Sequence, residues 1–483
     1  MIPSINSVHG YGRIKTGAIL LDRSSRQGLK PRHQSFMKPT KLPPCDHQPI
    51  TYAGPTIEEV RGLRERHLNP GIFLHYKKPI MVVEGKFQYV WDSTGKRYLD
   101  GLGGIVTISV GHCHPHVIEA GRRQMETLQH STTIYLHPNV VRYAEHLASK
   151  MPGDLKVCYF VNSGSEANEL ALLMARVHTR NYDVIALRNG YHGGSAGTMG
   201  LTAQSSWKFN VPHGLGVHHA LAPDTYRGAY RASDPDAGKK YADDVKELID
   251  FATPGKVAGF IAESIQGVGG VVGFPGGYLQ RAYEYVRAAG GLCIADEVQT
   301  GLGRLGSHFW GFQTQGVIPD IVTMAKGVGN GFPLGVVVTT PKIARALTER
   351  THFNTFGGNP VASAMGKAVL EVIEREGLQA NCLKLGAYLG TRLNGLKRKH
   401  AIVGDVRGEG LLVGIELVRD RRTKEPAKAE CAQVLETCKD RGLLLGKGGL
   451  HNSVIRFAPP MCITQADADF AVATLDGALA RLS

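Results

Sequence analysis

Residues 292–299 read LCIADEVQ and residues 321–326 read IVTMAK. Each is a mostly apolar run of strand length that ends in charged or polar groups, Asp296, Glu297 and Gln299 in the first and Lys326 in the second. Near-continuous apolar strands are the mark of a sheet covered on both faces, which is the environment of parallel strands. Working outward, KVCYFVNSG (156–164), DVIALRN (183–189), VAGFIAES (257–264) and LGVVVTT (334–340) repeat the pattern, with helical stretches between them. Strands alternating with helices from about Val157 to Thr340 predict an α/β architecture with a mainly parallel sheet flanked by helices. Ligand chemistry in such a sheet collects at the strand ends.

The flanks differ from this centre. Between Thr56 and Asp100, short alternating stretches such as MVVEGKFQYVWD, broken at Glu84-Gly85 and Ser93-Thr94-Gly95, predict a small β-meander. After Pro360, helices are expected over about 361–376 and 379–398, then the strand pair VGDVRGEGLLVGIELV, a helix near Lys428 to Arg441, the strand VIRFAP and a last helix from Gln465. Segregated strands and helices point to a smaller α+β domain. The expected organisation is a leader over 1–45, a segment 46–100 contributing to the small domain, a large domain over 101–370, and the C-terminal small domain over 371–483.

At 42% hydrophobic and 20% charged residues, with 60 glycines in 483, the composition is that of a soluble α/β enzyme. No apolar run reaches the length of a membrane span. The formal charge of +14 is unevenly spread. Residues 1–45 hold eight basic residues against a single Asp22, a net of +7, and the rest of the chain carries the other +7. A leader rich in Arg and Ser and poor in acids resembles a mitochondrial transit peptide, with a plain basic tail as the alternative. The basic charge outside it is too modest for a nucleic-acid footprint. Eight scattered cysteines show neither zinc nor redox spacing. His112, Cys113, His114 and His116 are ligand types, but neighbours on an extended chain point apart and no second ligand cluster accompanies them, so no metal is expected.

Four motifs stand at successive strand ends. Ser163-Gly164-Ser165-Glu166-Ala167-Asn168 opens a helix, where free amides and the helix dipole attract a phosphate. Ser163 and Glu166 also have capping-box spacing, which alone would account for them. In Asn189-Gly190-Tyr191-His192-Gly193-Gly194, the Tyr191 ring can stack on a planar cofactor and the glycines give room. Asp296 is a carboxylate at the mouth of a buried strand and needs a cationic partner, for which a protonated pyridine nitrogen serves. Lys326, between Ala325 and Gly327, sits where desolvation lowers an amine's pKa and favours imine formation.

Together SGSEAN (163–168), GYHG (190–193), ESIQG (263–267), ADEVQTGLGR (295–304), AKG (325–327), TFGGNP (355–360) and RFAPP (456–460) resemble the class III aminotransferases. These are fold type I enzymes dependent on pyridoxal 5'-phosphate (PLP), and the resemblance runs from about residue 55 to the C-terminus. It implies that Gly164 and Ser165 hold the cofactor phosphate, with Thr355 reaching the phosphate of the other subunit of a homodimer. It also implies that Tyr191 stacks on the ring, Asp296 binds the ring nitrogen, Gln299 binds the ring hydroxyl, and Lys326 is Schiff-base partner and proton shuttle. Arg456 is the candidate for the substrate carboxylate. Relatives acting on distal amines commonly carry a glutamate two positions after the glutamine of ESIQG to mask this arginine; here that position is Val268. The implied reaction is ping-pong amino transfer from alanine, 3-aminoisobutyrate or β-alanine to glyoxylate or pyruvate. Other members of the class, ω-aminotransferases with different donors or lyases of phosphorylated amines, remain alternatives. A dinucleotide fingerprint at Gly301-Leu302-Gly303-Arg304-Leu305-Gly306 would require a helix opening at its third glycine, and SHFWGFQTQGVIPD is a poor one.

Overall fold

In the computed structural model, which describes residues 41–482, seven strands form the central sheet. Their spatial order is Val157–Val161, Gly335–Thr339, Ile321–Met324, Leu292–Asp296, Gly259–Glu263, Val184–Leu187 and Val217–Ala220. The apolar runs fill both faces: Ile294 and Val337 enter one core, while Cys293, Ala295, Val336 and Val338 enter the other. The helix Gly164–Thr179 packs on the first core through Ala167, Leu170, Ala171, Met174 and Ala175. Ala237–Ala252 and Tyr278–Ala288 pack on the second through residues such as Tyr241, Val245, Tyr278 and Ala282.

One strand departs from parallel. Gly335–Thr339 runs antiparallel to both of its neighbours. The physical reason is its connection. A parallel return needs a crossover of a dozen or more residues, usually a helix. Only residues 325–334 separate it from Ile321–Met324, and they form a turn around Lys326. The edge strand Val217–Ala220 had no apolar signature, because two of its four residues are His218 and His219.

The early meander forms as Val82–Lys86, Tyr89–Asp92 and Arg97–Asp100, and its sheet is extended by Leu443–Leu444, which pairs in parallel with Leu99 and Asp100. A second antiparallel sheet joins Val403–Glu409, Leu412–Leu417, Val454–Phe457 and Gly446–Gly448 in that order. Helices cover Pro360–Arg375, Leu378–Lys399, Lys428–Asp440 and Gln465–Leu479. The basic leader lies outside the described residues except for its last five. There Leu42 and Cys45 pack against the main core, and Arg97 Nη2 donates to the Pro43 carbonyl at 2.5 Å.

The histidines near residue 114 diverge. His112 pairs with Asp100, His114 with Glu376 and His116 with Glu371, three different carboxylates. After Gly306 the chain continues as turns and one 3-10 segment, Gly311–Gln315, so the glycine-rich run opens no helix.

Candidate active site

The strand ends bring the cofactor candidates together through glycine contacts. A Cβ on Gly164 would lie 3.3 Å from Val298 and 3.6 Å from Ala325, so the helix start fits between the loop after Asp296 and the residue before Lys326. At Gly193, whose φ is +127°, a Cβ would collide with Ser165 Oγ, which draws the Tyr191 loop onto the same helix start. Helix capping and phosphate attraction coexist here. Ser163 Oγ accepts from the Glu166 amide, the capping contact, and Glu166 in turn accepts from the Asn162 amide. Among the described residues the amides of Gly164 and Ser165 have no partner. Two free N–H groups at the positive end of a 16-residue helix form an anion seat.

Asp296 is 3% exposed, and its carboxylate is fully engaged. Oδ2 accepts from His192 Nδ1 at 2.7 Å and from Asn168 Nδ2 at 2.9 Å, and Oδ1 accepts from the Val298 amide at 3.1 Å. Burial alone would raise its pKa, but the His192 and Asn168 contacts outweigh this and hold it below the ordinary value. His192 is raised for the reciprocal reason, its desolvation being outweighed by Asp296. Thr323 Oγ1 donates to Asn168 Oδ1 at 2.7 Å and so fixes the Asn168 amide. The result is a buried carboxylate kept anionic with no lysine or arginine hydrogen-bonded to it among the described residues, suited to a cationic ring nitrogen.

Lys326 follows its strand in the left-handed region, with φ at +50°. A non-glycine residue there is strained, and such strain clusters at functional positions. Among the described residues its amine has no hydrogen-bond or ion-pair partner. Burial, with a smaller contribution from the Arg456 charge, pulls its pKa down to about 8. A substantial fraction of this amine is therefore neutral and nucleophilic near pH 8. Anion seat, anionic carboxylate and neutral amine form a donor set that fits PLP.

Arg456 stands on the strand Val454–Phe457 and is 3% exposed. Its Nη2 donates to Gln299 Oε1 at 2.5 Å, and its Nε has no partner among the described residues. Burial pulls this guanidinium down to about 10. Gln299 thus spends its oxygen on Arg456 and keeps its amide nitrogen for another acceptor. Val268 lies close by: a Cβ on Gly448 would touch both Arg456 Cδ, at 2.8 Å, and the Val268 carbonyl, at 3.0 Å.

Three participants carry no role on sequence grounds. Asn168 and His192 stand inside two of the motifs, and both hold Asp296. Glu263 is the third. It stands beside Asp296 in strand register, and its two oxygens accept from the amides of Tyr191, at 3.0 Å, and Gly267, at 2.8 Å. It therefore ties the Tyr191 loop to the loop carrying Val268. Burial pushes this carboxyl up to about 7. The Tyr191 ring packs edge-on to Trp207 with centroids 5.1 Å apart. Thr355 is not drawn into this cluster; its side chain is exposed between Phe353 and Phe356.

The profile of the aminotransferase class-III family matches residues 74–479. A curated relative from Arabidopsis thaliana, alanine--glyoxylate aminotransferase 2 homolog 2, mitochondrial, is 53% identical over 92% of this chain and 91% of its own length. The Homo sapiens alanine--glyoxylate aminotransferase 2, mitochondrial, is 47% identical over 91% and 90%. Among solved structures, an Arthrobacter phospholyase in complex with phosphoethanolamine is 36% identical with a TM-score of 0.82, covering 88% of this chain and 100% of its own. An amine transaminase from an uncultivated Pseudomonas species, solved with PLP bound, is 32% identical with a TM-score of 0.80, covering 86% and 98%. The chain belongs to the class III aminotransferases, enzymes that use pyridoxal phosphate to move amino groups.

Proposed function

We propose that the chain transfers the amino group of a small amino acid, alanine first among them, to glyoxylate or pyruvate in a ping-pong reaction in the mitochondrial matrix. The observation that carries the substrate class is Arg456, a buried guanidinium whose one partner among the described residues is the neutral Gln299. A charge so desolvated calls for a carboxylate: Glu263, the acid whose charge reaches it, makes no ion pair with it and is itself pushed toward the neutral form by burial, and the nearby chain carries Val268. The names of the relatives support the donor, the acceptor and the compartment, and the composition of the leader supports the compartment as well.

When bound, PLP supplies the electron sink for charge developing on the substrate carbon. The residues do the rest. The Gly164 and Ser165 amides hold the phosphate at the helix start. Asp296, kept anionic by His192 and Asn168, holds the ring nitrogen in its protonated form. Tyr191 would stack on the ring, and the free amide nitrogen of Gln299 would serve the ring hydroxyl. Lys326 would anchor the cofactor, and its amine would move the proton at the substrate carbon. Arg456 orients the carboxylate of donor and acceptor in turn.

The same reading includes a homodimer. Ile134, Tyr135, Leu136, Phe353 and Phe356 are exposed, and the Phe356 ring packs at a tilt against His130 with centroids 5.6 Å apart, so the two segments form one apolar surface. A second copy covering it would carry Thr355 to the neighbouring phosphate. Light scattering tests the dimer, and a monomer at micromolar concentration would refute it. Function is tested by single half-reactions: alanine should convert the cofactor to its aminated form, and glyoxylate should restore it. Failure of alanine, with success of a phosphorylated amine or a long ω-amine, would overturn the proposal.

A further inference from the structure

A cavity of about 400 Å³ lies beside the cofactor cluster, lined by residues after the strand Val184–Leu187 and by residues of the C-terminal antiparallel sheet. None of Lys326, Asp296, Gln299 or Arg456 lines it. Three arginines from three segments do: Arg188 just after the strand Val184–Leu187, Arg227 in the turn after Asp224, and Arg407 on Val403–Glu409. The carboxylates in the walls are Glu416 and Asp224. Glu416 is consumed by two of the arginines, Arg227 through Nε and Arg407 through Nη1. Asp224 Oδ1 accepts from the amides of Tyr226 and Arg227, and Asp405, outside the wall, also pairs with Arg407. Arg188 has no side-chain partner among the described residues. Arg227 Nη2 is enclosed without a partner. The remaining surface combines Ala203, Ala222, Leu450, Val454 and three glycines with the polar Asn189, His451 and Ser453.

These walls are connected to the active site. Arg407 Nε donates to the Gly270 carbonyl at 2.9 Å, and Asn189 Nδ2 donates to the Gly269 carbonyl at 2.9 Å. The Gly449 amide donates to the Val268 carbonyl, and Gln266 Nε2 donates to the Arg188 carbonyl, each at 2.9 Å. Residues lining the cavity therefore hold the loop 266–270 at four points, and Asn189 is two residues from Tyr191.

We propose that this cavity is a second ligand site, taking a short-chain monocarboxylate, and that its occupancy tightens the loop 266–270. The volume is that of a small-molecule site. Guanidinium groups with unspent N–H donors select a carboxylate, and the alanine, leucine and valine side chains accommodate a short apolar body. A ligand that contacts the wall groups holding the loop has a different affinity for its ordered and disordered states, which is what transmission requires.

The test uses 3-methylbutanoate, which has neither amine nor oxo group and so is not turned over, on Arg456→Ala holoenzyme to remove the carboxylate site at the cofactor. Calorimetry should give one equivalent bound per chain. Arg188→Ala, an exposed position, and Ala222→Leu, which fills the cavity without changing charge, should each weaken binding at least tenfold on that background. Hydrogen exchange of amides 266–270 should slow on binding. No binding, or binding untouched by both substitutions, overturns the site. Binding of butyl phosphate without 3-methylbutanoate overturns the ligand class, and binding without a change in exchange overturns the transmission. No arm measures turnover, so the outcome is independent of the proposed reaction.

Discussion

Arg456→Ala isolates the carboxylate contact from everything that holds the cofactor. Burial lowers the guanidinium from 12.5 to about 10. At about 1.4 kcal/mol for each tenfold change, keeping it charged without a carboxylate partner costs about 3 to 4 kcal/mol. A substrate carboxylate that offsets this returns a similar amount in the transition state, inside the range of about 2 to 5 kcal/mol for truncating one member of a desolvated pair. The variant should therefore lose about 3 to 4 kcal/mol in kcat/KM for alanine and glyoxylate, a factor of roughly 300. Cofactor loading, followed by its visible absorbance, should survive, because Arg456 hydrogen-bonds to Gln299 and to none of the groups that seat the phosphate or the ring nitrogen. Val268→Glu is the companion: it offers the arginine an internal acid and should depress alanine relative to a donor whose amine lies far from its carboxylate. The assay is the ratio of kcat/KM values for the two donors, which cancels any loss of active enzyme. An Arg456→Ala enzyme that turns over alanine normally, together with an unchanged ratio in Val268→Glu, would make Arg456 a structural residue.

Lys326→Ala should abolish transamination and leave no cofactor fixed by borohydride; peptide mapping of the reduced native enzyme to a different lysine would refute the assignment. Asn168→Ala should weaken PLP binding by about 1 to 3 kcal/mol, because Asp296 loses one of the donors that hold it anionic; equilibrium dialysis measures this. Glu263 has its carboxyl pKa at about 7 against an ordinary 4.5, so the folded chain binds that proton more tightly than the unfolded one and stability falls as pH rises from about 4.5 to 7. Glu263→Gln should flatten that part of the melting-temperature profile of the cofactor-free protein, and parallel profiles would count against it. Deleting residues 1–45 should cost about 1 kcal/mol more than deleting 1–40, through Leu42 and Cys45, as the melting temperatures of the two truncations would report. A reporter fused to residues 1–45 that stays in the cytosol would separately refute delivery to mitochondria.

The cofactor half of the site was legible because it sits at strand ends, where a residue's place follows from its position on an apolar run. Asp296 and Glu297 show how far that goes. They are adjacent, both buried and both at one strand end, yet the alternation of side chains sends them to opposite jobs. Asp296 faces His192 and Asn168. Glu297 is enclosed by Ser264, Thr300 and the amides of Gly311 and Phe312, where it braces the following loop. The motif resemblance separated the two, and their residue type did not. Glu263 escaped notice because its partners are backbone amides, which leave no side-chain signature. The antiparallel strand escaped notice for a different reason. The apolar pattern of LGVVVTT is the same in either direction, and the short link from Lys326 was the available clue.

Arg304 extends the argument from the cofactor to the substrate side. It is 2% exposed, and its Nη1 donates to the carbonyls of Leu411, at 3.1 Å, and Pro459, at 2.7 Å, with no carboxylate beside it. Its Nη2 has no partner. Burial lowers its pKa, so the charge is retained at a cost that packing alone would not require. The benefit lies in what it joins. Arg304 belongs to the loop that begins at Asp296 and Gln299, Pro459 lies three residues beyond Arg456, and Leu411 leads into the strand that pairs with the Arg456 strand. The two N–H bonds of Nη1 are fixed in the guanidinium plane and reach both carbonyls at once, which sets the distance between the two elements more firmly than the freely rotating ammonium of a lysine would. The contact from Arg456 to Gln299 spans the same gap, so these two residues, proposed for the substrate carboxylate and the ring hydroxyl, are held in register by a neighbour that hydrogen-bonds to neither.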